Sequence, residues 1–336
     1  MANKTTIYDI ANQLNLTAAT VSRALNNNPR ISKGTKKLVL ETAREMNYEP
    51  NKLALALKKG KSNNVGVVVP YINHSFFSTI IRGIEEELHP KGYHVIISQS
   101  HEEEDREGQT IKSLLNAQVE GILISVSRST RNTEHLNEVV QKGIPLVFFD
   151  RKKDINGVSS VIFDDYQGGY QATKHLIELG CSRIAHFSGD RSLEIYQDRY
   201  QGYVNALKDH GKEPDQDLVF EIRSTAEDGI QAIKNLMVLK NPPDAIFSST
   251  DYGALGAITW LKNNGFKIPA DIRVVGFSNE PFTEFMDPPI SSMDQSPLEM
   301  GRKAAQMFLE QVGQNSKRKE KRIVLPPNLI VRESSS

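Results

Sequence analysis

Ile7-Tyr8-Asp9-Ile10-Ala11, five intervening residues, and then Thr17-Ala18-Ala19-Thr20-Val21-Ser22-Arg23-Ala24-Leu25-Asn26 form the stretch from which the rest of the 336-residue chain is best read. Ile7, Ile10, Ala11 and Leu14 fall at i, i+3, i+4 and i+7, one face of an α-helix, with Thr6 placed to cap it and Asp9 in its first turn. Asn15 tolerates the left-handed backbone of a tight turn. Thr17 can then cap a second short helix that turns Val21, Ala24 and Leu25 inward. A third helix is expected after Ser32, carrying Val39, Thr42, Ala43 and Met46 at helical spacing. Three short amphipathic helices with a brief turn between the first two make a small self-contained head.

The outward stripe of the second helix is Ala19, Ser22, Arg23 and Asn26, with Ala18 at its start. Small methyl-bearing residues let a helix approach the floor of the major groove, and an arginine fork matches guanine O6 and N7. The same stripe would serve a solvent-facing helix in a generic bundle, and spacing alone does not choose between them. Charge adds a second observation. Formal net charge is +0, yet the residues through Ser62 hold eleven basic side chains against four acidic ones, an excess of seven that the remainder offsets. A basic head on an acidic body is the electrostatic footprint of a module that docks on nucleic acid, the alternative on charge alone being a merely solvated surface.

Those two stretches, with Tyr48-Glu49-Pro50-Asn51 after them, resemble the head of the lactose-repressor (LacI/GalR) family. The resemblance implies a helix-turn-helix whose recognition helix is Thr17 to Asn26. Arg23 would read a base, while Thr6, Tyr8, Thr17, Ala18, Ala19, Thr20, Ser22 and Asn26 supply phosphate or base contacts. Beyond Pro50, Leu53, Leu55 and Leu57 alternate as a strand would, so periodicity is ambiguous there. The family implies a hinge helix at about 50–58 with Asn51 and Lys58 on DNA and Leu57 wedged between base pairs of the minor groove. The head thus spans 1–58, and 59–64 is a basic linker. Its Gly60-Lys61-Ser62 is no phosphate loop, because the required earlier glycine position holds Leu55.

From Val65 onward, short apolar runs alternate with amphipathic stretches: Val65 to Val69, Tyr93 to Ser98, Gly121 to Val126, Pro145 to Phe149 and Ser160 to Phe163. The pattern continues with Arg183 to Phe187, Leu218 to Ile222, Ala245 to Ser248 and Ile272 to Phe277. Near-continuous apolar strands separated by helices mean parallel sheets covered on both faces, and so many strands suggest two doubly wound α/β lobes. Ligands in such sheets bind outside the strand carboxyl ends. Phe76-Phe77, Gly83-Ile84-Glu85, Asp150-Arg151, Gly168-Gly169, Arg199 with Gly202-Tyr203, Gly253 to Ala257 and Val274 to Phe277 also resemble the family's periplasmic-binding-protein-like core. That implies three chain crossings, with one lobe at about 65–164 plus 294–323 and the other at about 165–293 plus 324–336.

The resemblance places a ligand-binding arginine at Arg199. Asp150 and Asp251 follow strands and can accept hydroxyls, and Phe76 and Phe77 can wall the site. Ser278-Asn279 stands where the family often has an acidic residue, and Thr250-Asp251 where it often has Asn-Asp. Ser278 is therefore an effector candidate, and the effector's identity does not transfer from a relative. The acidic run Glu102 to Asp105 suits a solvated loop better than a cation site, His186 a core histidine, and Trp260 packing.

Bulk features narrow the class. Cys181 is the lone cysteine, no apolar run spans a bilayer and no signal-peptide pattern opens the chain, all of which favour a cytoplasmic protein. No catalytic or zinc-ligand motif is present, so no catalytic residue, metal or cofactor is expected. An exported solute-binding protein would share the body without the basic head, and a sugar-modifying enzyme would need a clustered acid-base site. The expectation is a homodimeric regulator, a repressor, of a pseudo-palindromic DNA operator, controlled by a sugar or sugar phosphate between the lobes.

Overall fold

A computed structural model describes residues 5–49, 62–312 and 319–336. It divides into two compact units, Met1–Ser62 and Asn63–Ser336. In the first, α1 (Ile7–Gln13), α2 (Ala18–Leu25) and α3 (Lys33–Glu45) close over Ile10, Ala11, Val21, Ala24, Val39 and Ala43. Side-chain caps set all three starts. Thr6 and Asp9 form a reciprocal capping box on α1, the Thr17 hydroxyl accepts the Thr20 amide at 3.1 Å, and the Ser32 hydroxyl accepts the Thr35 amide at 3.1 Å. Asn15, at φ 51°, makes the turn between α1 and α2. The expected hinge helix, with Asn51, Leu57 and Lys58, lies outside the described residues.

The second unit holds two six-stranded sheets. In lobe one, β1 (Asn64–Val69), β2 (His94–Gln99), β3 (Ile122–Ile124), β4 (Leu146–Phe149), β5 (Ser159–Phe163) and β11 (Arg322–Leu325) are ordered β11-β5-β4-β3-β1-β2, all parallel. In lobe two, β6 (Ile184–Ser188), β7 (Val219–Glu221), β8 (Ala245–Ser248), β9 (Arg273–Phe277), β10 (Ser291–Asp294) and β12 (Asn328–Ile330) are ordered β12-β10-β9-β8-β6-β7. Among the described residues of this sheet only β12 joins antiparallel. Central strands are buried on both faces because helices cover them, which is why they read as unbroken apolar runs.

Helices of lobe one are α4 (Ser75–Leu88), α5 (Glu104–Asn116), α6 (Glu134–Gln141) and α11 (Pro297–Gln311). Those of lobe two are α7 (Asp165–Glu178), α8 (Glu194–Asp209), α9 (Ala226–Met237) and α10 (Asp251–Asn263). The chain passes between lobes after β5, after β10 and between β11 and β12. The third passage falls at Pro326-Pro327, a little beyond the boundary at 323–324 that the sequence reading assigned. Ile323, Val324 and Leu325 still pair with Val161, Ile162 and Phe163, so the ladder carries lobe one to Leu325, where prolines without amide donors end it. Neighbouring helices meet through glycine. A Cβ on Gly169 of α7 would stand 2.2 Å from the Arg199 carbonyl oxygen of α8, and one on Gly202 of α8 would stand 2.2 Å from that of Tyr166.

Candidate functional site: a helical face and an inter-lobe cavity

On the head, α2 presents Thr17, Ala19, Arg23 and Asn26 to solvent, while Ser22 and Thr20 are half-buried. Ala18 is half-buried against the head core, so its methyl serves packing as well as the outer face. Arg23 has no ion pair among the described residues, and the Asn26 amide donates to the Ser22 carbonyl at 2.7 Å. Thr6 and Tyr8 are exposed, Tyr8 at 67%, with no packing role that accounts for it. This surface is a helix with donor side chains and an uncommitted arginine at its centre, the form that a major groove accepts.

In the body, all six residues proposed from sequence for an effector, Phe76, Phe77, Asp150, Arg199, Asp251 and Ser278, line one cavity of about 520 Å³ between the lobes. Arg199, on α8, is 3% exposed. Its Nε donates to Asp165 Oδ1 at 2.7 Å, its Nη1 donates to the Ser249 carbonyl at 2.8 Å, and its guanidinium stacks 3.7 Å from the Phe277 ring centre. Those three contacts fix the fork on two sides before any ligand arrives. Asp150, the residue after β4, has φ 60° and accepts the Ser125 hydroxyl at 2.9 Å. Asp251 follows the N-cap Thr250 of α10, accepting the Ser292 hydroxyl at 2.6 Å and the Glu280 amide at 2.8 Å. Burial raises both carboxyls above their ordinary range, Asp251 to about 7. Ser278, at φ 110°, donates to Gln295 Oε1 at 2.9 Å. Phe77 belongs to the core as well as to the wall, and Phe76 meets it edge-on at 5.2 Å.

The sequence reading missed other lining residues, notably Tyr71, Arg151, Asp190, Tyr196, Glu221, Tyr252 and Glu280. Arg151, Asp190 and Glu221 lie at or just past the carboxyl ends of β4, β6 and β7. The strand-end rule that selected Asp150 and Asp251 would have found them had it been applied to every strand. Glu280 follows β9 as Asp251 follows β8 and meets the same rule, but only the fold brings it to α4, where it accepts the Ser75 hydroxyl across the cleft. Lys152 of lobe one and Glu194 of lobe two form a second bridge at 3.3 Å.

The acidic run after β2 proves to be neither a bare solvated loop nor a free acidic cluster. Glu102 accepts the Arg128 amide, Glu104 the amides of Arg131 and Asn132, and the buried Glu107 the Ser127 amide with the Thr130 hydroxyl. Together they pin the 127–132 loop that carries Arg128 to the cavity. His186 is fully buried, its Nδ1 donates to the Phe247 carbonyl, and burial holds it down to about 3. Trp260 stacks on Phe266.

Residues 6–51 match the sequence profile of bacterial regulatory proteins of the lacI family, and residues 62–332 match that of periplasmic binding proteins and the sugar binding domain of the LacI family. The chain belongs to the LacI family. As a LacI-family protein it is a DNA-binding transcriptional regulator. It is 33% identical over 335 residues to the HTH-type transcriptional regulator DegA of Bacillus subtilis, covering 99% of this chain and 98% of the relative. Catabolite control protein A of Priestia megaterium is 32% identical, with 98% and 99% covered. Among solved LacI-family structures, the lac repressor dimer bound to operator and the anti-inducer ONPF superposes with a TM-score of 0.86 at 25% identity, covering 99% of each chain. The transcriptional regulator CelR–cellobiose complex gives 0.73 at 29% identity, covering 98% of this chain and all of that one. No helix among the described residues is long and apolar enough to cross a membrane.

Proposed function

We propose that the protein represses transcription in the cytoplasm as a homodimer on a pseudo-palindromic operator, and that a sugar or sugar phosphate in the inter-lobe cavity sets its affinity for that DNA. The observation that carries this reading is the cavity itself. Its wall is drawn from both lobes, and its Arg199 is held in place by Asp165, Ser249 and Phe277. A ligand touching both lobes binds one closure angle better than another, and that difference in affinity is the only source of coupling to the heads. Arg23 reads a base, Ala18 and Ala19 meet thymine methyls, and Thr6, Tyr8, Thr17, Thr20, Ser22 and Asn26 hold the helix through phosphate or base contacts. Asn51, Leu57 and Lys58 of the hinge complete the contact, with Leu57 opening a base step. The protein acts by binding and performs no turnover.

Selection of bound sequences from a random DNA pool at near-physiological salt tests this. The expected product is a pseudo-palindrome with a deformable central step, whose complex responds to a sugar. Recovery of single, non-repeated half-sites would remove the dimer, and turnover of a sugar without operator affinity would remove the regulator reading altogether.

A further inference from the structure

Four arginines reach the cavity, and three arrive with a counter-ion already in place. Arg151 Nη1 donates to both oxygens of Glu102 at 2.9 Å, Arg199 Nε to Asp165 at 2.7 Å, and Arg223 Nε to Asp228 at 3.2 Å. The fourth, Arg128, is exposed, and its charge acts on Asp190 of the opposite lobe. The carboxylates are placed differently. Asp251 and Glu280 are buried in the lining with hydroxyl and amide donors but no basic side chain in an ion pair. Asp150 accepts the Ser125 hydroxyl, and its ion pair among the described residues is a long one, 4.0 Å to Arg151 Nε. Glu221 faces the cavity from the exposed rim without an ion-pair partner among the described residues.

We infer that the effector is a polyhydroxyl compound with no anionic group, an unphosphorylated sugar or amino sugar. This deepens the reading of the cavity as a sugar site and rests on it. A phosphate brings a charge of about −1.5 to −2 and needs donors that are not already neutralised. Here it would meet the carboxylates of Glu280, Glu221 and Asp190 in the lining instead, and like charges side by side destabilise one another. Hydroxyl groups meet the same carboxylates as donors, forming charge-assisted hydrogen bonds, and an ammonium substituent adds an opposite charge. Tyr196 and Tyr252 add aromatic surface to the lining for the carbon skeleton.

Calorimetric titration of the full chain with matched ligands tests this: glucosamine, glucose and glucose 6-phosphate, and trehalose with trehalose 6-phosphate. Within a responding series, the uncharged or amino member is expected to bind at least about tenfold more tightly than its phosphate. In a protein with Asp190→Asn and Glu221→Gln the gap should narrow by roughly tenfold, because two rim charges that repel phosphate are gone. A phosphate that binds as tightly as its parent sugar overturns the inference and leaves the sugar site standing. Failure of every ligand in every class, with operator binding intact, overturns both.

Discussion

Asp251 has its carboxylate fully buried beside Glu280, so ionisation there costs desolvation that three hydrogen-bond donors only partly offset. Its carboxyl sits near 7 in the folded protein against an ordinary 3.8. Between those values the folded chain keeps a proton that the unfolded chain releases, so this residue's contribution to stability is full below about 3.8 and is lost as pH rises through about 7. Asp251→Asn is therefore expected to remove that loss and flatten the change in melting temperature between pH 5 and pH 8, while weakening the effector. An unchanged slope in thermal melts would mean that the carboxylate is ionised throughout. In the head, Arg23 is expected to act through a base edge. Arg23→Ala should cost about 1–3 kcal/mol and relax preference at one operator position, as read by binding to a set of single-base variants. Equal loss on every sequence would reassign Arg23 to phosphate.

At the scale of elements, α7 and α8 approach so closely that Gly169 and Gly202 leave no room for a methyl group. The atom a Cβ on Gly169 would strike is the carbonyl of Arg199 itself, so Gly169→Ala must move the backbone that aims the guanidinium. We expect destabilisation of about 1–3 kcal/mol from overpacking, with effector affinity falling more than operator affinity, measured by denaturant titration and by the two binding assays. Equal effects on both ligands would make the contact purely structural. Much of this architecture was legible beforehand. Periodicity and caps located α1 to α3, and apolar runs located nine of the twelve strands among the described residues. The three that escaped, β10, β11 and β12, are short, and β10 reads Ser-Ser-Met-Asp. Its burial comes from neighbours on both sides of the sheet and not from its own composition. The cavity was half legible: strand ends and family resemblance gave Arg199, Asp150 and Asp251, whereas the Ser75–Glu280 contact and the amide-binding role of Glu104 and Glu107 depend on distant segments meeting.

For the whole molecule, the hydroxyl of Ser75 on Glu280 and the Lys152–Glu194 pair bridge the lobes in the arrangement that forms the cavity. The second bridge is largely exposed at Glu194 and contributes little; the first is the sheltered one. Ser75→Ala is expected to shift the population away from this arrangement, enlarge the radius of gyration in small-angle scattering without effector, and weaken effector binding by roughly tenfold through the smaller competent fraction. Unchanged scattering and affinity would show that the bridge does not set closure. The three passages between the lobes also govern how the protein comes into being. On the ribosome, α11 and β11 emerge after nearly all of lobe two, so lobe one cannot seal its sheet first and wait. Nor does any uninterrupted gene fragment encode a single lobe: to cut the body at one point is to leave both halves open.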